Sequence, residues 1–351
     1  TRQELEALIN PFLVGELAVE ANHLAMYKPY LKVFDHIANL SFHTNNTVIL
    51  GQSPAPFSPF DEFAPPPPPI GIKAQSEFWS ASYYTFEKVD DDSYALDYET
   101  SQARIMIGYD KVVRHDLLAG FVLGYGNPHI SNSVTKIKAN DFLVGVYARK
   151  RFMRFENIYA NVFVGYGYQD YKLSRDYQKT KYDGDSFYAS IELSKPMQIE
   201  ELIVEPLVAF DFQKTNSNGF DVDVNLSKAN VPYTNILGQN QIKTLSIANN
   251  DFEQAFLRIG LNTSYKRLRT RFQYSYLACG DATANTHATI KGISNGTGTL
   301  TAARRGRYII NTGAGIDRNI GEFTKIFADY DFEVGKNINS HTAQLGIVTL
   351  F

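Results

Sequence analysis

From about residue 74 to the C-terminus, apolar and polar residues alternate with a two-residue period. Such alternation predicts strands with one apolar and one polar face. "ARIMIGYDKVV" places Ala103, Ile105, Ile107 and Tyr109 on one face, and Arg104, Met106, Gly108 and Asp110 on the other. "NIYANVFVGYGYQDY" groups Ile158, Ala160, Val162, Val164, Tyr166 and Tyr168 against Tyr159, Asn161, Phe163, Gly165, Gly167 and Gln169. "RTRFQYSYLACG" opposes Phe272, Tyr274 and Tyr276 to Arg271, Gln273 and Ser275. "RGRYIINTGAGIDRN" opposes Tyr308, Ile310 and Ile316 to Arg307, Ile309 and Asp317. The chain closes on "HTAQLGIVTLF", where Ala343, Leu345, Ile347, Thr349 and Phe351 share a face. Chain ends are usually frayed and expendable. An apolar strand running to the last residue needs a partner, because an open edge invites association.

The pattern predicts twelve strands, starting near residues 75, 97, 117, 136, 156, 183, 201, 252, 269, 305, 323 and 341. Their lengths, roughly ten to fifteen residues, exceed the five or six usual in soluble sheets. They suffice to cross a membrane, which takes about 9–11 residues at the usual tilt. The connections alternate in kind. After even-numbered strands they are short and charged: "RHD" (114–116), "RKRFMRFE" (149–156), "KPMQIEE" (195–201), "KRLR" (266–269) and "RNIGE" (318–322). After odd-numbered strands they tend to be longer and polar, the longest running over about 214–251 and 280–304, with only the first and last of this set short. Short turns at one rim and long loops at the other are the layout of an outer-membrane barrel.

The polar face agrees with that layout. It carries glycines and isolated ionisable groups: Arg104, Asp110, Glu192, Glu205, Asp211, Arg258, Arg271 and Asp317. A wet lumen tolerates these groups, and these eight residues are expected to line it. Aromatic residues gather towards strand ends (Tyr83, Tyr84, Tyr109, Tyr125, Tyr166, Tyr168, Tyr274, Tyr276, Tyr330 and Phe332), as in interfacial girdles. The expected fold is all-β: a 12-stranded antiparallel transmembrane β-barrel spanning 74–351. The leading alternative is a large soluble β-domain.

Two regions precede the barrel. Residues 1–50 include "PFLVGELAVEANHLAMYKPYLKVFDHIANL" (Pro11 to Leu40), rich in Ala, Leu and Glu, which reads as helix with a kink at Pro29. Residues 51–73 form a proline-rich linker that includes Pro65 to Pro69, an extended polyproline II spacer. A twelve-stranded bore is wider than the filled interior of eight strands and narrower than a sixteen-stranded channel. It has room for one helix of about 10–12 Å diameter, while the alternative for the N-terminal segment is an ordinary amphipathic helix packing on a partner domain.

Composition narrows the function. The formal net charge of -3 gives no electrostatic case for nucleic acid. Mean hydropathy is only -0.25, and no apolar run is long enough for a spanning helix. A barrel keeps low mean hydropathy because its strands alternate. The single cysteine, Cys279, excludes an internal disulfide and a Cys-rich zinc site. A secretory signal is not evident at the N-terminus, which reads as that of a mature chain or a fragment.

Catalytic candidates are weak. "GISNG" formally matches a nucleophile elbow around Ser294, but lies in a Gly/Thr/Asn-rich loop with no helix following. The seven histidines (His23, His36, His43, His115, His129, His287 and His341) lack close metal-ligand spacing, so no metal or cofactor is expected. Asp90 to Asp92 read as a solvated loop tip. Arg304 to Arg307 read as a charged outer rim able to meet lipopolysaccharide phosphates.

Several stretches resemble the C-terminal translocator domain of the autotransporter (type V secretion) family. They are "LLAGFVLGYGNPHISNS", "DGDSFYASIELSKPM", "IVEPLVAFDFQ" with its Glu205–Pro206 pair, and "IGEFTKIFADYDFEVGKNINSHTAQLGIVTLF". The likeness covers about 74–351. The resemblance implies export of the chain's own passenger domain, lying N-terminal to residue 1, and a monomer in outer-membrane lipid and lipopolysaccharide. It implies that strand twelve pairs with strand one, and that the N-terminal helix threads the barrel and lies in its lumen. It makes Phe351, Ile347 and Leu345 part of a signal read by the barrel-assembly machinery. The family's usual aromatic is replaced by Thr349, and apolar Val348 and Leu350 stand where polar residues are usual. Some members cut the passenger inside the lumen at an asparagine. Asn22, Asn39 and Asn45–Asn46, with Glu192, Glu205 and Asp211, are the counterparts here, without a recognisable cleavage motif. The alternative function is a stand-alone outer-membrane pore or adhesin.

Overall fold

The computed structural model describes residues 32–34, 36, 76–90, 97–114, 116–132, 135–152, 158–175, 178–225, 242–280, 285–291, 297–301, 306–320 and 323–351. The kink at Pro29, the linker at 51–73, Ser294, Asn22, Asn39 and Asn45–Asn46 lie outside these residues, as do His23, His43, His115, Asp91, Asp92, Arg304 and Arg305. The strands are β1 (Ser76–Val89), β2 (Tyr98–Arg114), β3 (Leu117–Ser131), β4 (Thr135–Phe152), β5 (Ile158–Arg175), β6 (Gln178–Ser194), β7 (Met197–Ile199) and β8 (Leu202–Ser217). They continue as β9 (Phe220–Asn225), β10 (Ile242–Ile247), β11 (Asn250–Tyr265), β12 (Leu268–Gly280), β13 (Asn285–Ile290), β14 (Thr297–Thr301), β15 (Tyr308–Asn319), β16 (Thr324–Gly335) and β17 (Ile338–Leu350).

Thirteen of these strands form one antiparallel sheet, closed by pairing of β8 with β11. β7 continues β6 in the same register against β8, interrupted only by Lys195 and Pro196, so the cylinder has twelve staves. A proline lacks the N–H that a ladder needs, which accounts for the break. β17 pairs with β1 from Glu77↔Leu350 to Val89↔Ile338, and Phe351 N–H donates to Ser76 O at 2.9 Å. The apolar C-terminal strand therefore has its partner, and the edge vanishes.

The two-residue period sorts every stave. Phe121, Leu123, Phe142, Val144, Val146, Ile259, Phe272 and Leu345 point outward and are exposed to the surroundings. Their neighbours point inward and are buried or half-buried. Tyr83, placed by its sequence position in an aromatic girdle, faces the lumen and is buried, while adjacent Tyr84 faces out. One residue of offset reverses the face, which crowding of aromatics along a strand end does not reveal.

The staves run to 18 residues, longer than the pattern suggested. At the usual barrel tilt, 18 residues rise about 45 Å, against about 30 Å of hydrocarbon. β3–β4 and β5–β6 therefore extend as paired ribbons beyond the hydrocarbon thickness. β6 begins at Gln178 and β17 at Ile338, earlier than the predicted 183 and 341.

The two longest connections, expected as polar loops, contain a second sheet of order β14-β13-β10-β9. Val222, Leu245, Ile247 and Ala288 of this sheet pack with Val89, Tyr98, Ile130, Ile137, Tyr171, Leu173, Tyr182 and Ile338. The latter belong to the long-loop ends of β1–β6 and β17. The small sheet thus caps that mouth with an apolar layer.

Candidate functional site: the lumen and its plug

Residues 32, 33, 34 and 36 are helical and lie inside the cylinder. Val33 and Phe34 join a buried cluster with Trp79, Tyr83, Met106, Leu143, Phe163 and Phe327, all inward-facing. Lys32 Nζ donates to Asp331 Oδ2 at 2.6 Å. His36 Nε2 lies 3.0 Å from Asp110 Oδ2, and its ring stacks on Trp79 with centroids 4.4 Å apart. The rest of the helix expected over Pro11 to Leu40 lies outside the described residues.

The eight ionisable residues expected in the lumen sit on inward faces, and neighbouring strands gather them into networks. Arg258 donates to Glu192 Oε2 and Asp211 Oδ2, each at 2.9 Å. Ser190 donates to Asp211 Oδ1 at 2.5 Å, and Asn161 to Glu192 Oε1 at 2.8 Å. Glu205 accepts from Ser194 at 2.7 Å and from Arg149 at 3.3 Å, with the Arg149 guanidinium 4.2 Å above the Tyr159 ring. Arg104 pairs with Asp141, which also accepts from Gln169. Arg271 pairs with Asp331 at 2.8 Å, the residue that receives Lys32. Asp317 lies 2.9 Å from Lys325 Nζ and 3.7 Å from Arg269.

The partners Asp141, Arg149, Arg269, Lys325 and Asp331 were not singled out from the sequence. They share the parity of the residues that were, and that signal would have found them. Asp110 is the centre of a further group. Trp79 Nε1 donates to Tyr147 Oη at 2.8 Å, and Tyr147 donates to Asp110 Oδ2 at 2.8 Å. Glu77 is adjacent, so His36, Glu77 and Asp110 converge although far apart in sequence.

A closed cylinder with an apolar outside, a charged inside and a helical segment in its bore narrows the comparison to membrane barrels. A profile of the Autotransporter beta-domain matches residues 78–331. The chain belongs to the autotransporter family. It is an outer-membrane β-barrel translocator domain. The fold is similar to that of the translocator domain of autotransporter NalP from Neisseria meningitidis, at TM-score 0.58 and 14% identity, over 78% of this chain and 88% of that one. It is also similar to the transport unit of the autotransporter AIDA-I from Escherichia coli, at TM-score 0.50 and 13% identity, over 82% and 94%. A comparison with curated proteins found no match.

Leu345, Ile347 and Phe351 of the C-terminal strand face outward. Their side chains are open to whatever surrounds the barrel, while the backbone beside them closes the β1–β17 seam.

Proposed function

We propose that this barrel exports a passenger joined N-terminally to Thr1, and that the segment around Lys32 and His36 then remains as a plug seated on the charged lumen wall. The observation that carries the reading is the pair of plug contacts, Lys32 to Asp331 and His36 to Asp110. Asp110 is near the short-turn end of β2, whereas Asp331 is farther in along β16. A chain running from Lys32 to His36 therefore heads towards the rim where Ser76 starts β1. That direction leaves the N-terminal side of the plug pointing to the long-loop mouth, as an exported passenger requires.

In this reading the lumen residues hydrate and dock the passing chain and carry out no turnover. Glu192, Glu205 and Asp211 serve the wall networks rather than cleavage. Leu345, Ile347 and Phe351 offer an outward apolar strand to the barrel-assembly machinery, and the charged rim near Arg307 meets lipopolysaccharide phosphates. The chain acts as a monomer, with outer-membrane lipid around it.

The test is a reporter passenger fused ahead of Thr1 in cells of a bacterium with an outer membrane. Surface digestion by added protease is the expected result, and it should fall sharply when Phe351 is deleted. A passenger that stays inside while the barrel inserts normally would overturn the export reading. Steady conductance of the full chain in bilayers would favour a stand-alone pore instead.

A further inference from the structure

We propose that His36, Glu77 and Asp110 form a divalent-cation site joining the plug to the barrel wall. One ligand atom from each residue lies within 4.8 Å of the others. All three side chains are almost wholly buried, at 3%, 6% and 1% exposure. Glu77 Oε2 and Asp110 Oδ1 are buried with no hydrogen-bond partner, and His36 faces Asp110 through Nε2, 3.0 Å from Oδ2. Asp110 is held through Oδ2 alone, whereas the buried Glu77 oxygen has no partner, which is costly, and two carboxylates side by side are costlier, since like charges repel. A cation among them removes both penalties.

The donor set selects the kind of cation. Calcium and magnesium prefer oxygen ligands alone. One imidazole with two carboxylates suits a first-row divalent metal such as Zn²⁺, with bonds of about 2.0–2.2 Å. Three such bonds hold the donor atoms about 3.4 Å apart, so donors that lie within 4.8 Å of one another need to close by no more than about 1.4 Å. The surroundings resemble an outer shell that fixes ligands in place. Tyr147 holds Asp110 through Oδ2, Trp79 holds Tyr147, and the same Trp79 ring carries His36. Nearby Lys325 is committed to Asp317. Because Glu77 and Asp110 belong to the wall and His36 to the plug, the metal would be a clasp across the two. The site does not depend on passenger export.

The full chain, refolded in detergent and stripped with a chelator, would be titrated with Zn²⁺ by calorimetry and with Co²⁺ by fluorescence. Trp79 is the sole tryptophan, so paramagnetic Co²⁺ at His36 should quench nearly all indole emission. The expected result is a single site per chain whose occupancy tracks that quenching. Glu77→Gln and His36→Gln should each weaken it by about tenfold or more. Heat-modifiable migration would verify that each variant still forms the barrel. Glu77→Gln is close to isosteric and alters only the wall. No binding, or binding untouched by both substitutions, would overturn the proposal. Binding without quenching would place the ion on exposed histidines such as His341 and overturn it equally.

Discussion

Trp79 lies directly across Gly108, so close that a Cβ added to Gly108 would fall 2.3 Å from the indole. The two residues are cross-strand partners in the β1–β2 ladder, both facing the lumen. The glycine makes the floor on which the indole lies, and the indole in turn carries the His36 ring. Gly108→Ala should push Trp79 off this floor at a cost of about 1–3 kcal/mol, the usual range for overpacking. We expect a shifted indole emission maximum and a lower temperature for loss of the heat-modified gel band. An unchanged spectrum would show that the ring sits elsewhere.

Arg258 stands between two buried carboxylates. Arg258→Met would leave Glu192 and Asp211 facing each other without their cation. Removing one member of a buried ionic group costs about 3–5 kcal/mol, because the remaining charge is stranded. Denaturant unfolding in detergent should show that loss. Replacing Glu192 and Asp211 by Gln and Asn in the same chain should restore much of it, since no unpaired charge remains.

Two barriers lie in series along the bore: the plug at Lys32 and His36, and the apolar cap. Removing residues 1–75 alone should give small or intermittent conductance in planar bilayers, since Leu245 and Ile247 still cover the long-loop mouth. Adding Leu245→Asp to that truncation should give steady opening, because a charge cannot remain in the apolar layer without a partner. Full conductance from the truncation alone would mean that the cap does not seal.

The cap also has an acid-sensitive tie. Lys291 Nζ donates to Asp221 Oδ2 at 2.5 Å, linking the end of β13 to β9. This hydrogen bond, with a second from Ser246, holds the Asp221 carboxyl below its usual range. A depressed folded-state value means that the tie is intact above the ordinary carboxylate range and is lost as pH falls through the lowered value. Both side chains are half exposed, so the effect should be modest and weakened by salt. Proteolysis of the β9–β10 hairpin, followed from neutral to strongly acid pH, should rise at the acid end in wild type. Lys291→Met should raise it at neutral pH.

The staves and their inward faces were legible because a closed barrel imposes a period of two with little exception. Arg104, Asp110 and Asp317 could be assigned to a face from local sequence alone. Their partners could not, because the contact of Arg258 with Asp211 depends on the register of β8 against β11. The cap escaped notice for a different reason. Its strands are five or six residues long, and "TGTLT" or "NTHATI" reads as loop until a neighbour supplies the other half of the ladder. The cation-ligating trio joins a helical residue to two strands, and spacing in the chain carries no trace of it.

At the seam, Phe351 N–H reaches Ser76 O at the rim where the short turns lie. The twelve staves thus form a ring that has a start only because the chain does. Joining residue 351 back to residue 76 through a brief linker, and opening the chain between Tyr265 and Leu268, would preserve every rung of the ladder. The plug would then enter the same bore from a different stave. Position around the cylinder is a convention of the gene, whereas the direction from rim to mouth belongs to the barrel itself.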